Sequence, residues 1–187
     1  CNYFKQFYKL NFSCYATPAE GLSGHFIALD KERFGIISGV TDKDYYTNSF
    51  HVPVYYVIPI TKKISIEAPY HNICNGGHIS YIELDNYPDA EHIMGIVNYA
   101  RKQDISYIGV NFHIRYCRNC YEYLSGYEQH CHNCGSDKIQ GISRVTGYIS
   151  MDERFGAGKV AERNDRSSDR IKGFYDSKYI QRGETIK

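Results

Sequence analysis

The chain has 187 residues, 22 lysines and arginines, 21 aspartates and glutamates, and a formal net charge of +1. This length suits one hydrophobic core, or one core with a small appendage. The near-neutral charge argues against a broadly basic nucleic-acid-binding surface, and 42% hydrophobic residues are typical of a folded globular protein. The sequence contains no run of 18 apolar residues, so no membrane-spanning helix is predicted. The chain starts at Cys1 rather than Met, so we expect a piece of a longer protein.

The first 113 residues predict alternating α/β structure. Residues 54–60 are apolar and rich in β-forming side chains, which predicts a buried strand, and residues 78–84 alternate with a period of two, which predicts another. A helix is expected to open at residues 88–91 with a proline and acidic residues in its first turn. Its apolar face consists of Ile93, Ile96, Val97 and Ala100. With a further strand at residues 105–110, the order predicts a parallel strand–helix–strand crossover.

Four of the seven cysteines form two CxxC motifs separated by ten residues: Cys117, Cys120, Cys131 and Cys134. Each CxxC places two thiolates on one tight turn, which suits tetrahedral zinc with Zn–S bonds of about 2.3 Å. Four protein ligands leave no open position, so residues 114–137 predict a structural zinc ribbon, with an iron centre as the alternative. His130 and His132 are competing ligand candidates, although surface imidazoles are the simpler interpretation. The clustered cysteines favour a reducing, cytoplasmic environment over a disulfide framework.

Two further segments have distinct compositions. Residues 138–160 contain Gly141, Gly147, Gly156 and Gly158, which predicts a loop that needs positive φ or close backbone approach. Residues 161–187 mix positive and negative charges with few apolar anchors, which predicts a weakly docked or mobile tail.

Segments spread over most of the chain resemble the anaerobic (class III) ribonucleoside-triphosphate reductases. They are ATPAEG at 16–21, YYTNSFHV at 45–52, GGHISY at 76–81, the two CxxC motifs, and RVTGY at 144–148. In that family a four-cysteine zinc site precedes an RVxGY segment whose glycine carries a stable radical. The resemblance therefore implies a glycyl radical at Gly147. Glycine suits this role because a Cα radical can flatten when no Cβ obstructs it.

The resemblance also implies a fold and an activity. Residues 1–113 would be the C-terminal portion of a ten-stranded α/β glycyl-radical-enzyme barrel, followed by the zinc ribbon at 114–137 and the glycyl radical loop at 138–160. The whole enzyme would reduce ribonucleoside triphosphates by glycyl and thiyl radical chemistry. An activating enzyme with S-adenosylmethionine and an iron–sulfur cluster would create the radical. A cytoplasmic homodimer without membrane or direct nucleic-acid partners is expected.

The radical cysteine of the family lies far upstream of the glycine, so this chain alone is expected to be inactive. Cys14 and Cys74 are interpreted as buried thiols instead. The sequence also departs from the family at Thr146, where a cysteine is frequent, and at Tyr121, where a glycine is common.

Substrate-binding residues are implied at two of the resembling segments. In the wider reductase superfamily, a loop comparable to Thr17, Ala19 and Glu20 grips the substrate phosphates. Residues 17–20 also read as a capping box with Pro18 at the first helical position, and such a helix end can hold phosphate, although an ordinary capped helix is the simpler alternative. The second segment resembles a loop near the active site, and its hydrogen-bonding candidates are Asn48, Ser49 and His51.

Two other function classes compete with the reductase. A zinc-ribbon module on a small α/β domain could bind nucleic acid through some of the 19 tyrosines, although the near-neutral charge opposes this. Another glycyl-radical enzyme, or a spare-part protein that replaces a damaged radical loop, is the third possibility. A spare part would need only the glycine loop, whereas this chain also carries the segments at 17–20 and 45–52.

Overall fold

A computed structural model describes residues 1–16, 21–84, 88–125, 128–144 and 147–166. Its helices are α1 (Asn2–Tyr8), α2 (Leu22–Phe34), α3 (Ile60–Ile73), α4 (Ala90–Lys102) and α5 (Ala157–Asp165), with a 3₁₀ turn at Asp152–Arg154. Its strands are β1 (Ser80–Glu83), β2 (Ile108–Asn111), β3 (Ile114–Cys117), β4 (Tyr123–Ser125), β5 (Ile139–Arg144) and β6 (Ile149–Met151). Within these ranges we find no helix long and apolar enough to cross a membrane.

The predicted strand–helix–strand unit is confirmed. Strands β1 and β2 pair in parallel, with Ser80 opposite Ile108 and Glu83 opposite Asn111, and α4 connects them. Their side chains pack with α3 and α4 into the main apolar core. Its buried members are Ile60, Ile64, Ile82, Leu84, Ile96, Tyr99 and Ala100.

Helix α4 begins later than predicted. Asp89 is the N-cap, and its carboxylate accepts a hydrogen bond of 2.8 Å from the His92 backbone N–H. The cap satisfies an N–H group that has no partner inside the helix, so Pro88 and Asp89 precede the first turn. On the predicted apolar face, Ile96 is buried, whereas Val97 is 37% exposed.

The strand predicted over residues 54–60 is wrong. Residues 54–59 form a turn and irregular backbone, and α3 begins at Ile60 with Pro59 as its N-cap. Proline lacks the N–H group that a buried strand needs for its ladder, but it is tolerated where a helix begins. Two apolar side chains at the centre of this segment are exposed, Tyr56 at 54% and Val57 at 59%, whereas Ile60 at its end is buried.

A second, antiparallel sheet has the strand order β4-β3-β5-β6. Much of the loop predicted at residues 138–160 is therefore the β5–β6 hairpin, followed by the 3₁₀ turn and the start of α5. Close backbone approach occurs at Gly158, where an added Cβ would lie 2.6 Å from the Gly24 Cα. The expected charged tail also differs, because residues 161–165 belong to α5 and Glu162 is buried. Residues 167–187 lie outside the described ranges.

Candidate functional site

The four predicted zinc ligands converge in the ribbon. Their Sγ atoms all lie within 4.8 Å of one another. The closest pairs join the two CxxC motifs, at 3.6 Å between Cys117 and Cys134 and at 3.4 Å between Cys120 and Cys131. A tetrahedral ion with Zn–S bonds of about 2.3 Å would need sulfur–sulfur separations of roughly 3.8 Å. The four thiols can therefore hold a metal ion such as zinc with little rearrangement.

Two similar turns build this cluster. The Tyr121 N–H donates to the Cys117 carbonyl at 3.0 Å, and the Gly135 N–H donates to the Cys131 carbonyl at 2.8 Å. The residue after each second cysteine is left-handed, with φ of 64° at Tyr121 and 72° at Gly135. Glycine adopts this conformation freely, whereas another residue bears about 1–2 kcal/mol of strain. Tyr121 therefore occupies a backbone conformation that favours glycine.

The surroundings of the cluster shift the pKa values of two of the thiols in opposite directions. Against the effect of a backbone hydrogen bond at Glu122, burial and hydrogen bonds with Cys131 and Cys134 raise the pKa of Cys120 to about 11. Asn119 Nδ2 donates to Cys134 Sγ at 3.5 Å, and this hydrogen bond lowers the pKa of the thiol to about 6. His132 is directed elsewhere, with its Nδ1 3.4 Å from a Glu128 carboxylate oxygen, and it is exposed, as is His130. Among the described residues, the group that could hold a metal contains the four cysteines and neither histidine.

Gly147 lies exposed in the bend of the β5–β6 hairpin. Arg144 and Ile149 form the pair of the ladder nearest to this bend. At the other end of β5, Ile139 pairs with Cys117, the first cysteine of the cluster. Five residue-to-residue steps along β5 separate these two ends, a length of roughly 17 Å. The metal cluster therefore supports Gly147 through the rigid strand rather than by contact.

Arg144, three residues before Gly147, ties the hairpin to the parallel sheet. Its Nη2 lies 2.6 Å from Oε1 of Glu83 at the end of β1, and its guanidinium lies 3.7 Å from the centroid of the Tyr81 ring. Asn111 on β2 donates to the other Glu83 oxygen. The Arg144 carbonyl accepts a hydrogen bond of 2.9 Å from Arg166 Nη2. The hairpin is thus anchored through both side chain and backbone.

The carboxylate of Glu83 is ionised although it is 5% exposed. Burial alone would raise its pKa, but the positive charges of Arg144, Arg166 and Lys63 and the hydrogen bond from Asn111 outweigh burial and lower that pKa to about 2. The ion pair with Arg144 therefore stays charged at any physiological pH.

Two of the predicted substrate-binding residues, Asn48 and His51, line a small cavity together with Glu83 and Arg144. The cavity has a volume of about 30 Å³, enough for one or two water-sized groups. Ser49 is not part of this lining. Thr17, Ala19 and Glu20 lie outside the described residues, and the helix that follows them begins at Leu22 with Gly21 as its N-cap.

The sequence did not predict the polar face of α3, which lies next to this cavity. Its buried members are Lys63, Glu67 and His71, spaced four residues apart beside the apolar stripe of the core. The His71 ring lies 4.6 Å from the ring of His78, and the His78 ring stacks on His51 at 5.2 Å. Neither nitrogen of His78 has a hydrogen-bond partner within the described part of the chain.

Burial sets the charge of these imidazoles. Burial is the main cause that lowers the pKa of His51 to about 4; the bond to the Ile79 carbonyl opposes the shift, and the charges of Lys63 and Arg144 add to it. The pKa of His71 is also lowered to about 4, chiefly by burial. The four-residue spacing of Lys63, Glu67 and His71 is a sequence signal for one polar helix face. The spacing has this meaning only on a helix, and the sequence did not predict a helix in this segment.

A profile of the family described as anaerobic ribonucleoside-triphosphate reductase matches residues 1–168. The chain belongs to this family. It is 42% identical over 163 residues to the anaerobic ribonucleoside-triphosphate reductase of enterobacteria phage T4, covering 81% of this chain and 26% of that protein. It is 40% identical over 166 residues to the Escherichia coli K12 enzyme of the same name, covering 81% and 22%. The chain thus spans about a quarter of the length of these curated relatives.

Comparison of folds agrees with this assignment. A solved structure called anaerobic ribonucleotide reductase superimposes with a TM-score of 0.73 at 20% sequence identity, covering 91% of this chain and 27% of that one. At this identity the likeness concerns the fold, which is a mixture of helices and sheets with a cysteine cluster that can bind zinc.

Proposed function

We propose that the chain is the C-terminal part of the catalytic subunit of an anaerobic ribonucleoside-triphosphate reductase, and that Gly147 carries its radical. Family membership over residues 1–168 is the observation that carries the activity. The position of Gly147 supports the site, because this residue lies in the bend of a hairpin that the ribbon and Arg144 support from two sides. The family match favours this reading over a nucleic-acid-binding module.

In the proposed reaction, the Gly147 radical takes a hydrogen atom from a cysteine thiol in an upstream part of the enzyme. The resulting thiyl radical removes the 3′ hydrogen of the substrate ribose, and the 2′ hydroxyl takes up a proton and leaves as water. A reductant, either formate or a small thiol protein, supplies the two electrons of the reduction, and the cysteine then returns the 3′ hydrogen atom so that the radical is restored. Residues 1–113 would belong to the ten-stranded barrel that holds these groups. Cys74 is buried, as interpreted from the sequence, whereas Cys14 is exposed. We assign neither of them the role of the radical cysteine.

The metal cluster has a structural role in this proposal. Four cysteine ligands close the coordination shell of a zinc ion, which would fix the two CxxC turns against each other. Because β3 carries Cys117 and pairs along β5, a rigid ribbon would hold the base of the Gly147 hairpin in register. Radical formation is assigned to a separate activating enzyme that uses S-adenosylmethionine and an iron–sulfur cluster. We place the homodimeric enzyme in the reducing cytoplasm.

Asn48 and His51 are the proposed substrate contacts within the described residues. Both line the cavity that Arg144 also lines, so a small polar group of a substrate that contacted them there would lie beside the radical hairpin. Ser49 is proposed with less structural support because its hydroxyl is buried away from the cavity lining. Thr17, Ala19 and Glu20 remain proposed phosphate contacts.

Electron paramagnetic resonance of the anaerobically activated, full-length subunit tests the site. We expect a doublet-type glycyl signal that disappears in Gly147→Ala. Gly156→Ala is the matched control, since Gly156 is exposed in the same segment and an added Cβ meets nothing within 4 Å. An unchanged signal in Gly147→Ala would remove the radical assignment.

Exposure of the activated enzyme to air provides an independent measurement. Oxygen should cleave the backbone at the radical, so mass spectrometry should find a separate C-terminal fragment that begins at residue 148. The fragment should be absent from Gly147→Ala and present in Gly156→Ala. Cleavage at another glycine would place the radical elsewhere.

A further inference from the structure

The radical hairpin and the parallel sheet meet at one buried ion pair, between Arg144 and Glu83. We infer that Glu83 is a positioning residue, which holds Arg144 and thereby sets the distance from Gly147 to the thiol with which it exchanges a hydrogen atom. This inference rests on the proposed function and deepens it, because nothing in the family match assigns a role to Glu83.

The geometry around Arg144 leaves it little freedom. Glu83 Oε1 lies 2.6 Å from its Nη2, and the Tyr81 ring covers one face of its guanidinium. Both partners are on β1, two residues apart, so their side chains lie on the same face of that strand. A side chain held at its charged end and along its planar face has few alternative rotamers. Arg144 therefore transmits the position of β1 to the end of β5.

Glu83 is in turn held by neighbours that do not belong to the hairpin. Asn111 of the adjacent strand β2 donates to its second oxygen, and the register of the sheet places these two residues opposite each other. Lys63 on α3 lies close enough for its charge to stabilise the carboxylate. The carboxylate is thus fixed by the main core, and the arginine is fixed by the carboxylate.

The backbone carbonyl of Arg144 provides a second anchor, which connects the end of β5 to the end of α5. Arg166 donates to the Arg144 carbonyl at 2.9 Å and also contacts a Glu162 carboxylate oxygen at 3.2 Å. Glu162 is itself paired with Lys159 at 2.8 Å inside α5. The last residue of β5 is therefore held between the parallel sheet and α5, three residues before Gly147.

Such precision matters because hydrogen-atom transfer requires the reacting atoms to be nearly in contact. A displacement of about 1 Å can cost about 100-fold in rate. Loss of the carboxylate charge would leave Arg144 and Lys63 buried without their counter-charge, which favours withdrawal of the arginine from β1. The chemical step should then slow, although substrate binding and the radical itself remain.

The test uses the full-length, zinc-loaded subunit with Glu83→Gln, which keeps the size of the side chain but removes its charge and replaces one of its two acceptor oxygens with an NH2 donor. Glu83 is preferred to Arg144 as the altered residue because it lies outside the hairpin that the activating enzyme must recognise. We expect a glycyl radical yield within about 2-fold of wild type and a kcat reduced by about 10-fold to 100-fold, with a much smaller change in KM. Asp44→Asn is the matched control, because the same carboxylate-to-amide change there breaks an exposed ion pair with Lys31.

A second variant keeps the inference testable if Glu83→Gln does not fold. Glu83→Asp retains the charge but shortens the side chain by one methylene, so kcat should fall to an intermediate value. Hydrogen exchange should be faster at residues 147–151 in both variants and unchanged in α4. Wild-type kcat in either variant, or a parallel loss of radical yield and kcat, would overturn the positioning role. If Gly147→Ala retains the radical signal, the proposed function itself fails, which is a separate result.

Discussion

The ribbon and the strand–helix–strand unit differ in the kind of side chains that they bury. The unit around β1, α4 and β2 buries a contiguous set of aliphatic and aromatic side chains. In the ribbon, the buried set consists of Cys117, Leu124 and Cys131, with Cys120 and Ile139 packed against it. Two of those three buried residues are metal-ligand candidates. The ribbon therefore depends on metal binding for stability that the other region obtains from apolar burial.

This difference bears on the hairpin that contains Gly147, the proposed radical site. A small metal-stabilised sheet can hold a strand rigidly without a large core, which leaves the bend at Gly147 exposed. The larger core supplies a fixed reference through Glu83 and Tyr81. Perturbing one region should therefore leave the other folded, and four experiments probe this separation.

Removal of the metal should have the largest effect. Structural zinc contributes about 10–16 kcal/mol of binding free energy in small domains, so Cys131→Ser or a strong chelator should unfold the ribbon. Hydrogen exchange should increase sharply in β3 and β5 and remain slow in α4. Cys74→Ser is the control, because that buried thiol lies outside the cluster. Equal loss of protection in α4 would show that the two regions are not separate.

Ile82→Ala should have the converse effect. Ile82 is fully buried in β1, and such a truncation costs about 2–5 kcal/mol of unfolding free energy. Denaturant unfolding should shift for the core, whereas zinc content measured by elemental analysis should be unchanged. Val97→Ala provides the comparison, since that side chain is 37% exposed and should cost much less. Loss of zinc from Ile82→Ala would contradict independent stabilisation.

Acid should weaken the larger region through its buried histidines. The pKa of His51 and that of His71 are each about 4 in the folded protein, below the ordinary value of 6.5. The unfolded chain therefore takes up protons first, so stability is complete above about pH 6.5 and falls towards pH 4. At pH 5 we expect a loss of about 2 kcal/mol from His51, measured by denaturant unfolding. His51→Gln should flatten this dependence, and the exposed His132→Gln should not.

The smallest effect concerns the two ribbon turns. Tyr121→Gly should stabilise the zinc-bound ribbon by about 1 kcal/mol, because it removes left-handed strain from a side chain that is 70% exposed. Gly135→Ala should destabilise it by a similar amount, since φ there is also positive. Thermal unfolding of the two variants should shift in opposite directions. A destabilised Tyr121→Gly would mean that the tyrosine ring contributes more than its conformation costs.

The elements predicted correctly are those whose side-chain pattern is local and periodic. The strand at 78–84 and the helix after Asp89 each show their period within a few residues, and the structure confirms both. Helix α3 was not predicted from the sequence, because Lys63, Glu67 and His71 interrupt its apolar pattern and Pro69 lies inside it. Residues 54–60 have side chains typical of a strand. The prolines at 53 and 59, however, lack the N–H groups that strand pairing requires.

By itself, the sequence determined the metal cluster, the crossover unit and the family, because each depends on residues at fixed spacing. Two cysteines with two residues between them lie on one turn, whatever surrounds them. The contact between Glu83 and Arg144 was decided by tertiary structure alone. These residues are 61 positions apart, and no local pattern indicates that a glutamate ending one sheet meets an arginine ending a strand of another. The packing of the hairpin against β1 brings the two residues together. Their burial then strengthens the electrostatic attraction between their charges.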